Sequence, residues 1–265
     1  MADDGMGEVR TRVDGRVLAI EVDREAKRNA FTPQMMAQLS EALTRLDAED
    51  ELWVGVVTFA GDHTTAGLDL PLFRGGMLAG GTSGDAADPN RVDAFGLRKR
   101  CAKPVIFAVQ GACYTVGIEM MLAADIVVAA DTSRFCQLEP KRGLGVFGGA
   151  AFRYVERAGW GNAMYHLLRA DVFDAQRALS LGFVQEVVPH GEQKARAMAL
   201  AQEIATVAPV ALRWIKRAAL AYAEHGEQAS IDLIPQMMRE TAGSEDAAEG
   251  LRSFVERREP VFSGR

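Results

Sequence analysis

The stretch KPVIFAVQGACYTVGIEMMLAADIVVAADTSRFCQLE, residues 103–139, decides the fold. Pro104–Gln110 is an apolar run bounded by Pro and Gly, the pattern of a strand buried on both faces. Gly111 through Gly117 reads as a tight connection and Ile118–Ala124 as a helix, which puts Glu119 in a first helical turn, where the dipole favours an anion. After Asp125, Ile126–Ala130 reads as a second buried strand. In Phe135–Glu139 the residues Phe135, Gln137 and Glu139 alternate onto one face, so Glu139 stands where a strand ends. Strand ends beside helix N-termini are where α/β folds place ligands.

Each glutamate also has an ordinary reading. An acid in a first turn commonly just complements the dipole, and one after a strand commonly faces water. The neighbours of Glu119 argue for more. Gly117-Ile118-Glu119-Met120-Met121-Leu122 is small and apolar around the helix, so the helix is buried on more than one side. A carboxylate held there needs a partner or a chemical task.

Outward from this stretch, Arg16–Val22 alternates Leu18, Ile20 and Val22 as a strand, and Asp23–Asn29 follows as a polar turn. Thr32 caps a helix with Pro33 at its first position and Met36, Leu39, Leu43 and Leu46 as its stripe. Leu52–Phe59 is another buried strand. Strand, helix and strand then recur, which predicts an α/β core of repeated strand-strand-helix turns over residues 1–192. From Ala150 the pattern turns helical. Asp174–Leu181 is a helix ended by Gly182, and Phe183–Val188 a short strand. Helices over Gln193–Ala208, Val210–Ala223, Ser230–Glu240 and Glu245–Arg258 make residues 193–265 a helical region. Arg74–Arg91, with Gly75, Gly76, Gly80, Gly81, Gly84 and Pro89, is too long for an ordinary connector and reads either as an insertion or as a lid.

The chain has 265 residues, 48% hydrophobic and 25% charged, with net charge −6 and 26 glycines. This is enough to bury a full core, and the mildly acidic balance offers no field to attract nucleic acid, which points to a small-molecule partner. Cys101, Cys113 and Cys136 lie in or beside apolar runs without metal-ligand spacing, and read as small buried hydrophobes. His63, His166, His190 and His225 form no paired ligand motif, and no Ser occupies a Gly-flanked nucleophile elbow, so neither a metal nor a hydrolytic triad is expected. The polar N-terminus MADDGMGEVR is unlike a signal peptide. Glu119 and Asp125 interrupt the one long apolar run, Ala112–Ala130, at a cost that argues against a membrane span. Unpaired thiols and no targeting signal lead to the expectation of a cytoplasmic protein.

Three elements converge on chemistry: Thr65-Ala66-Gly67-Leu68-Asp69-Leu70 after one buried strand, Gln110–Glu119 after a second, and Gln137-Leu138-Glu139 after a third. The first two are Gly-bearing turns leaving strands, a geometry that aims free backbone N–H groups into a cleft. Here the chain resembles the crotonase (enoyl-CoA hydratase/isomerase) superfamily, closest to enoyl-CoA hydratase. The resemblance runs from Arg24–Phe31 through Lys103-Pro104-Val105-Ile106 and Gly182-Phe183-Val184 to Phe254-Val255-Glu256-Arg257-Arg258.

The resemblance implies a crotonase-type spiral of strand-strand-helix units with a C-terminal helical region for oligomerisation and pocket closure. It implies an oxyanion hole formed by the N–H groups of Leu68 and Val116, and catalytic roles for Glu119 and Glu139. It further implies substrate and coenzyme A contacts at Ala66, Gly67, Asp69, Lys27, Arg28, Phe254 and Arg257, with coenzyme A as part of the substrate and no separate cofactor. Members assemble as trimers or pairs of trimers, so a homotrimer or dimer of trimers is expected. The implied activity is addition of water to a trans-2-enoyl-CoA thioester in fatty acid metabolism. Alternatives are an enoyl-CoA isomerase or another acyl-CoA-processing member, and a non-catalytic acyl-CoA-binding subunit. The chain departs from the family at Glu25 for the usual Pro, Thr64 for an aromatic, Tyr114-Thr115-Val116-Gly117 for a run of glycines, and Val146-Phe147 for Pro-Gly. The last change adds bulk near the acyl pocket.

Overall fold

The structure is a computed structural model that describes residues 5–78 and 88–265. In chain order the elements are β1 (Glu8–Asp14), β2 (Val17–Asp23), α1 (Pro33–Ala48), β3 (Val54–Phe59), α2 (Leu70–Leu78), β4 (Val105–Val109), β5 (Ala112–Tyr114), α3 (Val116–Ala123), β6 (Ile126–Ala130) and β7 (Arg134–Cys136). Then come α4 (Ala150–Arg169), β8 (Phe173–Asp174), α5 (Ala175–Ser180), β9 (Glu186–Val188), α6 (Gln193–Ile204), α7 (Pro209–His225), α8 (Glu227–Ala242) and α9 (Glu245–Glu256).

Six strands form one sheet in the order β1-β2-β3-β4-β6-β9, and β5, β7 and β8 form a second. From β2 to β9 the first sheet is parallel. Its central strands are apolar on both faces, because they are covered on both sides. Each turn of the chain lays one strand in the first sheet and then one short rung in the second. After β3 the rung is Thr65, bridged in parallel to Cys113; after β4 it is β5; after β6 it is β7. This is the predicted spiral of strand-strand-helix turns.

Local chemistry places the elements. Thr32 caps α1 by accepting the N–H of Met35 at 3.2 Å, a bond worth about 1 kcal/mol. Met36, Leu39, Leu43 and Leu46 are buried on the helix face that packs on the main core. Asp174 caps α5 in the same way. Burial raises the thiol pKa of Cys101 to about 12 and of Cys136 to about 11, leaving both without thiolate character.

Several expectations need correction. Gly111–Gly117 is not a plain connection, since it contains β5, which is too short for periodicity to reveal. Strand β1, the antiparallel partner of β2, was not expected because its residues are mostly polar and exposed, as an edge strand allows. Arg74 belongs to α2 rather than to a loop, and of the expected insertion or lid at 74–91, residues 79–87 lie outside the described residues. Ala197 and Ala201 of α6 are buried with Val54, Val56, Ile106, Ala108 and Val128, so α6 covers the second face of the sheet.

Candidate active site

Strand register assembles the site. Thr65 pairs with Cys113, and three residues beyond these partners stand Leu68 and Val116. A Cβ on Gly67 would stand 2.6 Å from Thr115 Oγ1, so the turns that bear Leu68 and Val116 lie against each other. Among the described residues no acceptor meets the N–H of Leu68 or of Val116. The neighbouring amides are engaged: Gly67 N–H donates to Thr65 Oγ1, Asp69 N–H to Phe31 O, and Thr115 N–H to Cys136 O. Val116 is the first residue of α3, where an amide has no partner within its helix. The next rung continues the pattern. Cys113 pairs with Phe135 and Tyr114 with Cys136, so Glu139 leaves β7 alongside the same turn.

Glu119 lies in the first turn of α3 and is 2% exposed. Its Oε1 accepts the N–H of Gly148 at 2.7 Å and that of Ala150 at 3.2 Å, so the start of α4 grips one oxygen. Burial raises the pKa of Glu119, against the opposing pull of those two amides and of the Arg153 charge. Glu139 opens a single 3₁₀ turn, Glu139–Arg142, and its Oε2 is buried without a partner. Burial, reinforced by the Glu119 charge, raises its pKa to about 7, while its own backbone amide pulls the other way. The Glu119 charge is thus felt at Glu139.

Arg153 supports this arrangement from behind. It is 1% exposed, and its guanidinium donates to the carbonyls of Glu119 at 3.3 Å, Gly148 at 3.0 Å and Phe95 at 2.6 Å. One cation thereby ties together the helix bearing Glu119, the loop gripping it, and the 95–96 turn. Tyr154, one residue on, packs against Phe183 and leaves its hydroxyl buried without a partner, as is the side-chain amide of Gln137.

The remaining expected contacts divide. Ala66 is exposed and Gly67 buried at the turn before Leu68, and Gly67 has φ 115°, a torsion that glycine tolerates best. Asp69 is held by Arg24 at 2.9 Å, and Arg24 also donates to Ala30 O, so this carboxylate ties the 65–70 turn to the 24–30 loop. Lys27 and Arg28 are exposed on that loop. Buried Asn29 pins it by donating to Ala60 O at 2.9 Å and His63 O at 2.8 Å. Phe254 is 81% exposed and Arg257 ends α9. Within one chain, no hydrogen bond or ring contact among the described residues joins either to the glutamates. Val146 packs on the core, whereas Phe147 is 53% exposed. Sequence reasoning missed Arg24, Asn29, Gly148, Ala150 and Arg153. Of these only Gly148, in a Gly pair ahead of a helical run, carried a local signal of close backbone approach.

Comparison with known proteins bears on this arrangement. A family model described as enoyl-CoA hydratase/isomerase matches residues 12–265. The chain is 31% identical over 251 residues to the enoyl-CoA hydratase EchA19 of Mycobacterium tuberculosis, covering 95% of this chain and 94% of that protein. It is 30% identical over 250 residues to the 2,3-dehydroadipyl-CoA hydratase of Escherichia coli, covering 94% of this chain and 96% of that protein. Among solved structures, a probable enoyl-CoA hydratase/isomerase from Mycobacterium abscessus superposes with TM-score 0.92 at 40% identity, covering 97% of this chain and 98% of that one.

Proposed function

The chain belongs to the enoyl-CoA hydratase/isomerase family, and on that premise we propose that it adds water across the double bond of a trans-2-enoyl-CoA thioester. The observation that carries this reading is the meeting of two turns whose Leu68 and Val116 N–H groups are unengaged with buried Glu119 and half-buried Glu139, whose pKa the Glu119 charge helps to raise. Conjugate addition of water places a hydroxyl on C3 and a proton on C2 through a state with negative charge on the thioester oxygen. The two N–H groups receive that oxygen, and each such donor is worth about 3 kcal/mol in related oxyanion sites. Glu119, gripped through Oε1, orients a water with its other oxygen and takes the water's proton as the C3–O bond forms. Glu139, whose raised pKa leaves a large share of it protonated near neutrality, delivers a proton to C2. The proton gained at Glu119 and lost at Glu139 balance, and exchange with solvent restores the pair.

The thioester carries coenzyme A, and the exposed Lys27 and Arg28 suit its phosphates. Asp69 and Gly67 shape the turn that bears Leu68, so their role in binding is indirect. The exposed Phe254 and Arg257 make no contact with the glutamates within one chain, which favours their service to the site of another copy in a homotrimer or dimer of trimers. Exposed Trp160, Leu168, Leu251 and Val255 supply apolar surface for such a contact. No helix among the described residues is long and apolar enough to cross a membrane, and a cytoplasmic site of action fits the unpaired thiols.

The test is turnover of short, medium and long trans-2-enoyl-CoA esters, followed by loss of the conjugated thioester absorbance, with identification of the product. Formation of the 3-hydroxyacyl thioester is expected. Migration of the double bond without gain of water would make the protein an isomerase, and binding without turnover would make it an acyl-CoA-binding subunit.

A further inference from the structure

We propose that the Thr115 hydroxyl is a third hydrogen-bond donor to the thioester oxygen, beside the N–H groups of Leu68 and Val116. The proposal rests on the oxyanion role given above to those two groups. Thr115 directly precedes α3 with φ 52° and ψ −116°, a conformation open to glycine and costly for a β-branched residue. A threonine at this position ordinarily earns its place by capping, accepting an N–H from the second or third helical residue. Here it makes no such bond. Its Oγ1 is buried and has no partner among the described residues. Neither backbone preference nor capping therefore accounts for threonine at this turn.

The direction of the hydroxyl supplies the account. A Cβ built on Gly67 would stand 2.6 Å from Thr115 Oγ1, so the hydroxyl lies against the glycine of the opposite turn. Gly67 directly precedes Leu68, and Thr115 directly precedes Val116. The hydroxyl thus lies between the two turns that bear the unengaged amides, with its proton uncommitted to any acceptor among the described residues. A thioester carbonyl oxygen has two lone pairs, whereas the enolate oxygen formed from it has three. A third donor therefore contacts the bound carbonyl but is held more strongly by the charged state, which is the condition for raising kcat more than it tightens binding.

The decisive comparison is among Thr115→Val, Thr115→Ser and Thr115→Gly in the full-length protein. Valine keeps the branched shape and removes the hydroxyl, and kcat should fall roughly 10²-fold with KM little changed. Serine keeps the hydroxyl and should retain most of the turnover. Glycine relieves the backbone, so its Tm should match or exceed that of the parent while kcat falls with the valine variant, a divergence that a merely structural role would not produce. Butyryl-CoA labelled with ¹³C at the thioester carbonyl cannot be hydrated, so its bound infrared band reports the donors whether or not the enzyme turns over. That band should move to higher wavenumber in Thr115→Val and stay at the parent position in Thr115→Ser. An unshifted band in Thr115→Val would overturn the proposal. Absence of hydration by the parent protein would instead remove the hydratase reading, and the infrared comparison would still decide the donor.

Discussion

Glu119 Oε1 accepts the backbone N–H of Gly148 at 2.7 Å, joining the first turn of one helix to the approach of the next. The bond sets the direction of the carboxylate and consumes one of its oxygens. It also requires a glycine. A Cβ at position 148 would stand 2.5 Å from Glu119 Oε2 and 2.6 Å from Phe95 Cδ1. Gly148→Ala should therefore displace the carboxylate and lower kcat by about 10²-fold, because sub-ångström misplacement of a reacting group is costly. Circular dichroism together with turnover checks this, and a folded variant of parental activity would refute it.

Replacing either carboxyl tests whether Glu119 and Glu139 act as a unit. Glu119→Gln and Glu139→Gln should each lower hydration by about 10²–10⁴-fold. The double variant should be scarcely worse than either single one, since groups that act as a unit are not additive. Rates measured with trans-2-enoyl and 3-enoyl thioesters side by side distinguish this from isomerisation, for which Glu119→Gln would be mild.

The pH profile follows from the raised pKa of Glu139, which burial and the Glu119 charge carry from 4.5 to about 7. The proposed hydration uses the protonated form, so kcat/KM for hydration should fall as pH rises through about 7, and kcat/KM for dehydration, tied to it by a proton-neutral equilibrium, should fall in parallel. Glu119→Gln removes the like charge, so the residual activity should lose its protonated limb at lower pH. The same shift affects stability. A carboxyl whose folded pKa is raised contributes fully below its unfolded pKa and loses that contribution as pH climbs to about 7. Denaturant midpoints should drop across this interval, and by less in Glu139→Gln.

Proline at position 68 tests the oxyanion amide. The N–H of Leu68 has no acceptor among the described residues, so Leu68→Pro removes no internal bond, and Gly67 before it relaxes the usual restriction on a residue preceding proline. Turnover should fall by about 10²–10³-fold, while Leu68→Ala, which keeps the amide, should retain much more. Equal losses in two folded variants would exclude the amide.

Arg153→Met tests the support behind the pair. The change strips donors from the carbonyls of Glu119, Gly148 and Phe95 in a buried setting, and should cost about 3–5 kcal/mol. Urea denaturation measures the loss. The residual kcat at a temperature where the variant is folded should also fall, because the Gly148 loop that grips Glu119 is no longer tied.

How legible the protein was depended on the range of each interaction. The apolar runs of β3, β4 and β6, the stripe of α1 and its Thr32 cap, and the place of Glu119 in a first turn are local patterns with periods of 2 and 3.6. They were readable along the chain, as were the Gly-bearing turns and both glutamates. The short rung β5 and the exposed edge strand β1 were not, because three residues carry no periodicity and an edge strand has no need of apolar alternation. What the sequence by itself determined is thus the kind of fold and the chemical types available to the site. Only the tertiary structure decided that the turns bearing Leu68 and Val116 lie against each other, that Gly148 and Arg153 hold Glu119, and that burial beside Glu119 carries Glu139 to a pKa of about 7. The physical reason is that strand register, desolvation and the partner of a buried polar group are properties of segments brought together from afar, and no local pattern encodes them.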